Sequence, residues 1–455
     1  MKSDGLAADV VIVGGGFSGT MLAAELARRK IRSVLVEGSG RAGSGTAFST
    51  TEEAHLLNVP AGRMGAWADR PDDFAKAVEA EGYGPGDFVP RKRFGAYLRA
   101  ILDEVRAGGL ATLAAGAAME AEHRDGGWSV TMEDGSRIEA KALVLAQGNQ
   151  PPGTLGFARA IGEQLFVNDP WSDAGRAAVT RVAESGEDVL IIGTGLTMVD
   201  VVLSLDEAGH RGRIVALSRR GLAPRGHAAH DPAPIELDEV PQGSVLALWR
   251  WLRRRGAMVG WRAAVESLRP HSHALWQALD AREQRRFVRH ARPWWDVHRH
   301  RIAPEVAARI ARLVGEGRLE IVAGRIRAMG EEDGGLKVEI RRRGQALTPL
   351  ASGESPSPSR GEEFRFALAV NCTGPLGSIA DSGDGVLRSL FGAGLARADW
   401  LGMGLDVDAA SRVAGAPRAW ALGPLTKGKF WEIVAVPDIR DQVAAVADDI
   451  ARELT

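Results

Sequence analysis

Two glycine-rich segments carry the residue types and spacing of nucleotide chemistry, VVIVGGGFSG at Val10–Gly19 and VLIIGTGLTMVD at Val189–Asp200. Each follows an apolar, β-branched run and precedes a helical pattern. Each therefore predicts a strand, a tight turn and a helix whose first N–H groups face a phosphate. In the first, Gly14 permits the turn, Gly16 lets the backbone approach a pyrophosphate, and Gly19 lets a helix over residues 18–28 pack closely on the strand. Gly15, Phe17 and Ser18 complete this loop. The next strand, SVLVEG, ends in Glu37, a carboxylate placed to accept hydrogen bonds from ribose hydroxyls. That choice suits a nucleotide without a 2′-phosphate, and FAD is one.

The second segment repeats the logic through Gly193, Thr194, Gly195 and Leu196, with Met198 in the third glycine's place. The larger side chain predicts a slightly wider spacing of helix and strand. The following strand, RIVALSRR, ends in Ser218, Arg219 and Arg220. A guanidinium pair is what a 2′-phosphate needs, which favours NADPH over NADH; a solvated loop in an arginine-rich chain is the competing reading.

The elements that must hold these loops recur as well. Each fingerprint is followed by a helical stretch, a β-rich segment and an apolar strand closing on glycine, ALVLAQG (Ala142–Gly148) and ALAVNCTG (Ala367–Gly374). Gln147 and Gly148 thus fall at the first cofactor. The expected fold is α/β, with two Rossmann-like dinucleotide-binding domains, the second inserted in the first, and a helical insertion. Residues 1–152 and 365–455 form the FAD-binding domain, and 153–364 the NAD(P)-binding domain with the insertion at about 225–304. Pro151, Pro152 and Pro375 serve as chain breakers at the crossings. An amphipathic helix from Asp438 to Glu453, after Pro437, either points its N–H groups at the flavin's pyrimidine edge or simply packs. The Pro- and Ser-rich stretch 345–362 reads as a mobile surface loop.

Six of the twelve tryptophans fall in the insertion, where they either pack it down or line a flat pocket; Trp294 and Trp295 are the substrate candidates. His271 with His273, and His298 with His300, lack a cysteine or acid at metal spacing, so no metal is expected. The 455 residues, 45% hydrophobic, suffice for two or three packed domains. A net charge of −1 offers no global attraction to nucleic acid or acidic membranes. Without a long apolar run or a targeting pattern, a cytoplasmic protein is expected, with a small-molecule substrate and O2 as its partners. Cys372 is the only cysteine, which excludes reductases that relay electrons through their own dithiol.

The segments Gly43–Trp67, GTGLTMVD, Arg292–Arg301 and Ala421–Gln442 together resemble the FAD/NAD(P)-binding family that includes FAD-dependent urate hydroxylases and aspartate N-monooxygenases. The resemblance spans nearly the whole chain. It implies a flavin cradle using Gly14, Gly16, Gly19 and Glu37, with His55 to Met64 passing close to the isoalloxazine and Asn58 as a polar flavin contact. The Baeyer–Villiger and N-hydroxylating relatives carry F-x-G-x-x-x-H-x-x-x-W between their fingerprints; here no histidine lies between Gln150 and Gly186, only LFVNDPWSD (Leu165–Asp173). The expected reaction is that of an NADPH-dependent FAD monooxygenase, which hydroxylates a small polar substrate through a flavin hydroperoxide. A reductase or oxidase passing electrons to a partner or O2, and a non-catalytic flavin-bound sensor, are the alternatives. His55 is the first candidate proton donor and His298 or His300 the second, each with a structural turn role as its plainer reading.

Overall fold

The computed structural model describes residues 6–342 and 362–455, which separate into two compact units. Residues 6–150, 231–289 and 376–455 form the first; 151–230, 290–342 and 362–375 form the second. The expected surface loop at 345–362 lies outside the described residues except for Glu362, which opens a strand.

In the first unit β1 (Leu6–Val13), β2 (Ser33–Glu37), β3 (Ala111–Ala115), β4 (Ala118–Arg124), β5 (Gly127–Met132) and β6 (Arg137–Leu145) form a sheet in the order β3-β2-β1-β6-β5-β4. The strands β3, β2, β1 and β6 are parallel, as helical crossovers require, and β5 and β4 add an antiparallel extension. Side-chain alternation explains the unbroken apolar run of β1. Val10 and Ile12 enter a core beneath the helices Phe17–Arg28, Arg91–Ala107 and Val436–Leu454, while Val11 and Val13 enter a second core on the opposite face. Buried on both sides, Val10–Val13 offers no position where a polar residue is tolerated, whereas the more exposed start of the strand carries Asp9.

The second unit repeats the plan. Its strands are β7 (Phe166–Val167), β8 (Val189–Ile192), β9 (Ile214–Ser218), β10 (Leu319–Glu332), β11 (Gly335–Arg342), β12 (Glu362–Phe366) and β13 (Leu368–Asn371), ordered β12-β11-β10-β9-β8-β13-β7. The fingerprint strand again lies centrally, parallel to β9 on one side and to the closing strand β13 on the other. Strand β10 serves both ladders. Leu319–Ala323 pairs with β9 in parallel, and from Gly324 onward the strand pairs with β11 in antiparallel.

Two expected boundaries change. The chain leaves the second unit after Pro375, later than the expected 365, because β13 completes that unit's sheet. The insertion is also divided: residues 231–289 belong to the first unit, and 225–230 and 290–304 to the second, where the whole of it was expected. Its packing explains this. Trp276 stacks on Trp431 with ring centroids 4.9 Å apart, and its indole N–H donates to the Gly428 carbonyl at 2.9 Å. Phe287 closes edge-on against Trp431 at 5.1 Å. These aromatic contacts bury large apolar areas and fasten the insertion to the segment before the last helix.

In the second unit the fully buried imidazole of His210 is held below its ordinary titration range, chiefly by burial and in part by Arg318. The neutral ring is thus favoured in the folded state. Stability from this group is complete above the unfolded-state value of about 6.5 and is lost as pH falls below it. Urea titrations across pH 5 to 8 should show the wild type losing stability toward acid more steeply than His210→Leu, and parallel slopes would contradict the assignment.

Candidate dinucleotide cradles

At the exit of β1 the Gly14 N–H donates to the Val36 carbonyl at 2.9 Å, and at the exit of β8 the Gly193 N–H donates to the Leu217 carbonyl at 2.8 Å. Both glycines have positive φ, 107° and 115°. A Cβ on Gly14 would stand 2.5 Å from the Ala146 carbonyl oxygen, and one on Gly193 2.1 Å from that of Cys372. The chain can therefore turn only as glycine, since the closing strand's backbone fills the space a side chain would need.

The positions two residues later behave differently. Gly16 and Gly195 have nearly the same extended backbone, φ −76° and −87° with ψ −162° and −160°. A Cβ on Gly16 would meet only Gly45 Cα, at 3.5 Å, and on Gly195 nothing within 4 Å. The protein itself leaves room here, so the requirement for glycine falls to a ligand that presses on the backbone. Both residues are also N-caps without a side-chain cap hydrogen bond, and neither following helix, Phe17–Arg28 or Leu196–Glu207, has an acid in its first turn. Some helices of the chain have a side-chain cap, from Ser172 before Asp173–Ser185 and from Asp384 before Gly385–Gly392, and others, such as Arg91–Ala107 and Pro304–Gly315, start without one, so it is the glycine turn together with the free helix start that marks the two cradles. Uncapped N–H groups behind a glycine turn are suited to phosphate.

The third position separates the cradles. A Cβ on Gly19 would lie 1.9 Å from the Gly14 carbonyl oxygen, whereas Met198 is accommodated with its side chain fully buried. Glu37 accepts the Gly15 N–H at 2.9 Å through Oε2, while Oε1 accepts Ser39 N–H and hydroxyl at 2.6 and 2.5 Å. Its carboxylate is thereby aimed across the first loop and keeps lone pairs for further donors. Gln147 donates to Asp384 at 3.2 Å, yet its buried Oε1 has no partner, an acceptor waiting beside the first cradle; Gly148 follows with φ 71°. In the second cradle the Thr194 hydroxyl bonds Ser218 Oγ at 2.8 Å and the Leu222 carbonyl at 2.5 Å. Ser218 also accepts the Gly221 N–H at 3.0 Å, so the turn carrying Arg219 and Arg220 is braced. Arg219 is exposed and Arg220 partly so; neither forms an ion pair among the described residues.

Other expected site residues have structural places. His55 is 2% exposed, with Nδ1 2.8 Å from the Thr50 hydroxyl and Nε2 3.3 Å from Glu52. Its carbonyl accepts the Arg91 N–H, so it anchors the loop rather than facing a substrate. Met64 is buried in the core below that loop, while Asn58 stays partly exposed. Further along, Asp73 receives the Ala66 N–H and the Tyr97 hydroxyl, and burial pushes both the carboxyl and the phenol upward. Trp294 is exposed and Trp295 buried; His298 bonds the Trp294 carbonyl at 2.7 Å and His300 lies 3.9 Å from Asp296. These four belong to the second unit and His55 to the first. The last helix begins at Val436 with Asp438 in its first turn, an acid that itself answers the helix dipole. Burial raises the Cys372 thiol far above its ordinary range, leaving it protonated.

Sequence reasoning missed Gly45, whose Cα backs Gly16, and Gln442. The Gln442 amide accepts the Gly423 N–H at 2.8 Å and donates to Ser411 and Thr426 at 3.0 Å. The GSGT run at Gly43 was the one available signal for the former; nothing in the sequence marks the latter.

Residues 11–150 match a family described as FAD-NAD(P)-binding. No curated protein matches the chain. Among solved structures it is similar to L-lysine 6-monooxygenase from Pseudomonas syringae, at 16% identity and a TM-score of 0.67 over 98% of this chain and 99% of that one. It is similar to an ornithine N-hydroxylase from Kutzneria sp. 744, described with reduced FAD, NADP+ and L-ornithine, at 14% and 0.64 over 99% and 100%. The thioredoxin reductase of Lactococcus lactis also matches, at 14% and 0.53 over 98% and 99%. At such identities the likeness is one of fold: α/β, with two Rossmann-like dinucleotide-binding domains. Among the described residues no helix is long and apolar enough to cross a membrane, and no group of three metal-ligating side chains occurs.

Gly14→Ala and Gly16→Ala should separate folding from ligand binding. The first is expected to cost at least ~2 kcal/mol in urea unfolding of the cofactor-stripped protein, from strain and a backbone clash. The second should leave that stability within about 0.5 kcal/mol of wild type while reducing flavin retention.

Proposed function

We propose that the protein is an NADPH-dependent FAD monooxygenase acting on a small polar substrate, with the first unit holding FAD and the second NADPH. The observation that carries this reading is the pair of glycine cradles. Each has an uncapped helix start, the first faces a carboxylate and the second a braced, unpaired arginine pair. The family match over the first cradle, and the monooxygenases among the similar structures, support the same reading.

When bound, FAD accepts a hydride equivalent from NADPH and activates dioxygen, so the hard chemistry belongs to the cofactors. This chain's residues supply grip and position. Backbone N–H groups of the loops Gly14–Gly19 and Gly193–Met198 take the phosphates, Glu37 takes ribose hydroxyls, and Gln147 Oε1 accepts one cofactor donor. Arg219 and Arg220 select the 2′-phosphate. The anchored loop from His55 to Met64 excludes water from the flavin's neighbourhood, with Asn58 as its polar contact. His55, committed to Thr50 and Glu52, holds its loop and is not assigned as an acid.

The thioredoxin-reductase activity named for one similar structure is disfavoured, since the single thiol is buried and protonated. Arg219→Ala with Arg220→Ala should raise KM for NADPH by roughly 10-fold or more, the loss of two charged hydrogen bonds, with little change for NADH. Equal loss for both would refute NADPH selection. Isotope-labelled dioxygen tests the reaction class: label in an organic product supports oxygen insertion, whereas NADPH consumption matched entirely by released peroxide would make the protein an oxidase. Cys372→Ser should retain turnover.

A further inference from the structure

A groove of about 810 Å³ crosses the first unit, lined by the loop at Gly62 and Arg63, by the insertion at Arg269 and His273, and by the start of the last helix. This is the size of a small-organic-ligand site. Its apolar lining comes from Phe430, Ile433, Pro437 and Val446. Two polar side chains in it are incompletely used. The His273 ring lies against Phe430, with centroids 6.0 Å apart, and its Nε2 is buried without a hydrogen-bond partner. Arg440, 14% exposed, donates through Nη1 to the Gly65 carbonyl at 3.0 Å, but its buried Nε has no hydrogen-bond partner.

The surrounding charges do not satisfy them. Asp441, 70% exposed, is the acid paired with Arg440 Nε, at 3.6 Å, too far for a hydrogen bond. Arg63 and Arg269 share one carboxylate, Glu266, at 2.6 and 3.8 Å. Asp449 is taken by Arg412, Arg452 and the Trp420 indole, and Asp438 sits in the first turn of its helix, where the backbone N–H groups favour it. Two nitrogens at the groove, His273 Nε2 and Arg440 Nε, are thus left without a hydrogen-bond partner beside an apolar wall.

We propose that this groove binds a small organic acid, its carboxylate taken by Arg440 with His273 and its apolar body lying on Phe430 and Ile433. The binding site is independent of the flavin reading; its role as the substrate site rests on that reading. The link is Gln442, which lines the groove and holds the Gly423 N–H. Gly423 in turn stands against Ser18, at the start of the first cradle's helix, where its Cβ would be 3.0 Å from the hydroxyl. An acid in the groove is therefore a near neighbour of the first nucleotide.

Benzoate is a suitable probe and benzylamine its opposite-charge control, titrated calorimetrically into the purified protein with flavin content read by visible absorbance. Saturable benzoate binding is expected, weakened roughly 10-fold or more in Arg440→Gln and clearly in His273→Leu, which sets an apolar side chain of similar size against Phe430 in place of the imidazole. Failure of benzoate to bind, equal binding in both variants, or tighter binding of benzylamine overturns the proposal. Flavin present with no benzoate binding would sink this site and leave the monooxygenase reading standing. Benzoate binding that depends on His273 in a protein unable to hold flavin would do the reverse.

Discussion

The structure depends on one close approach, made twice: the backbone leaving each fingerprint strand runs against the backbone leaving the closing strand beside it. Gly14 faces Ala146 and Gly193 faces Cys372 at distances that admit no side chain. That contact is possible because β6 lies parallel to β1 and β13 parallel to β8, so all four strands end at the same edge of their sheets. Ligand loops gather at such an edge, where helix N-termini also point. Cys372 thus contributes through its carbonyl, and its thiol is incidental.

The two cradles share a backbone and differ in what surrounds it. The first is tightened by Gly19, by Gly45 behind Gly16, and by Glu37 reaching back to Gly15. The second replaces the tight helix contact with Met198 and braces its turn through Thr194 and Ser218. A carboxylate ends one strand, and two arginines, Arg219 exposed and Arg220 partly so, follow the other; under the proposed function these are what give the sites opposite preferences for phosphate on the ribose. The insertion and the last helix add a layer to the first unit, through Trp276 on Trp431 and through the satisfied amide of Gln442. Buried polar groups that are fully bonded in this way specify one arrangement of the segments they join.

The parts legible in the chain were those governed by neighbours in sequence. Glycine spacing, the apolar runs of β1 and β8, and the acid or arginines ending the next strand all follow from local backbone geometry and period, and each was found where expected. The histidines show the opposite case. His55 looked available because its loop was placed near the flavin, but Thr50, Glu52 and the core close over it. Trp294 and Trp295 are adjacent in sequence yet one is exposed and the other buried, since consecutive helical residues point about a quarter-turn apart or more.

The sequence by itself determined the α/β class, the duplication and the two turns, because a missing side chain and a two-residue or 3.6-residue period are properties of the chain at short range. Tertiary structure alone decided which unit the insertion joins, where the second crossing falls, and which distant groups meet Gly16 or line the groove of Arg440. Those outcomes depend on contacts between residues far apart in the chain, such as Arg440 with Gly65, 375 positions away, and Trp276 with Gly428, 152 away. No local pattern encodes such pairings; they are settled by which surfaces bury the most apolar area while leaving the fewest polar atoms unpaired.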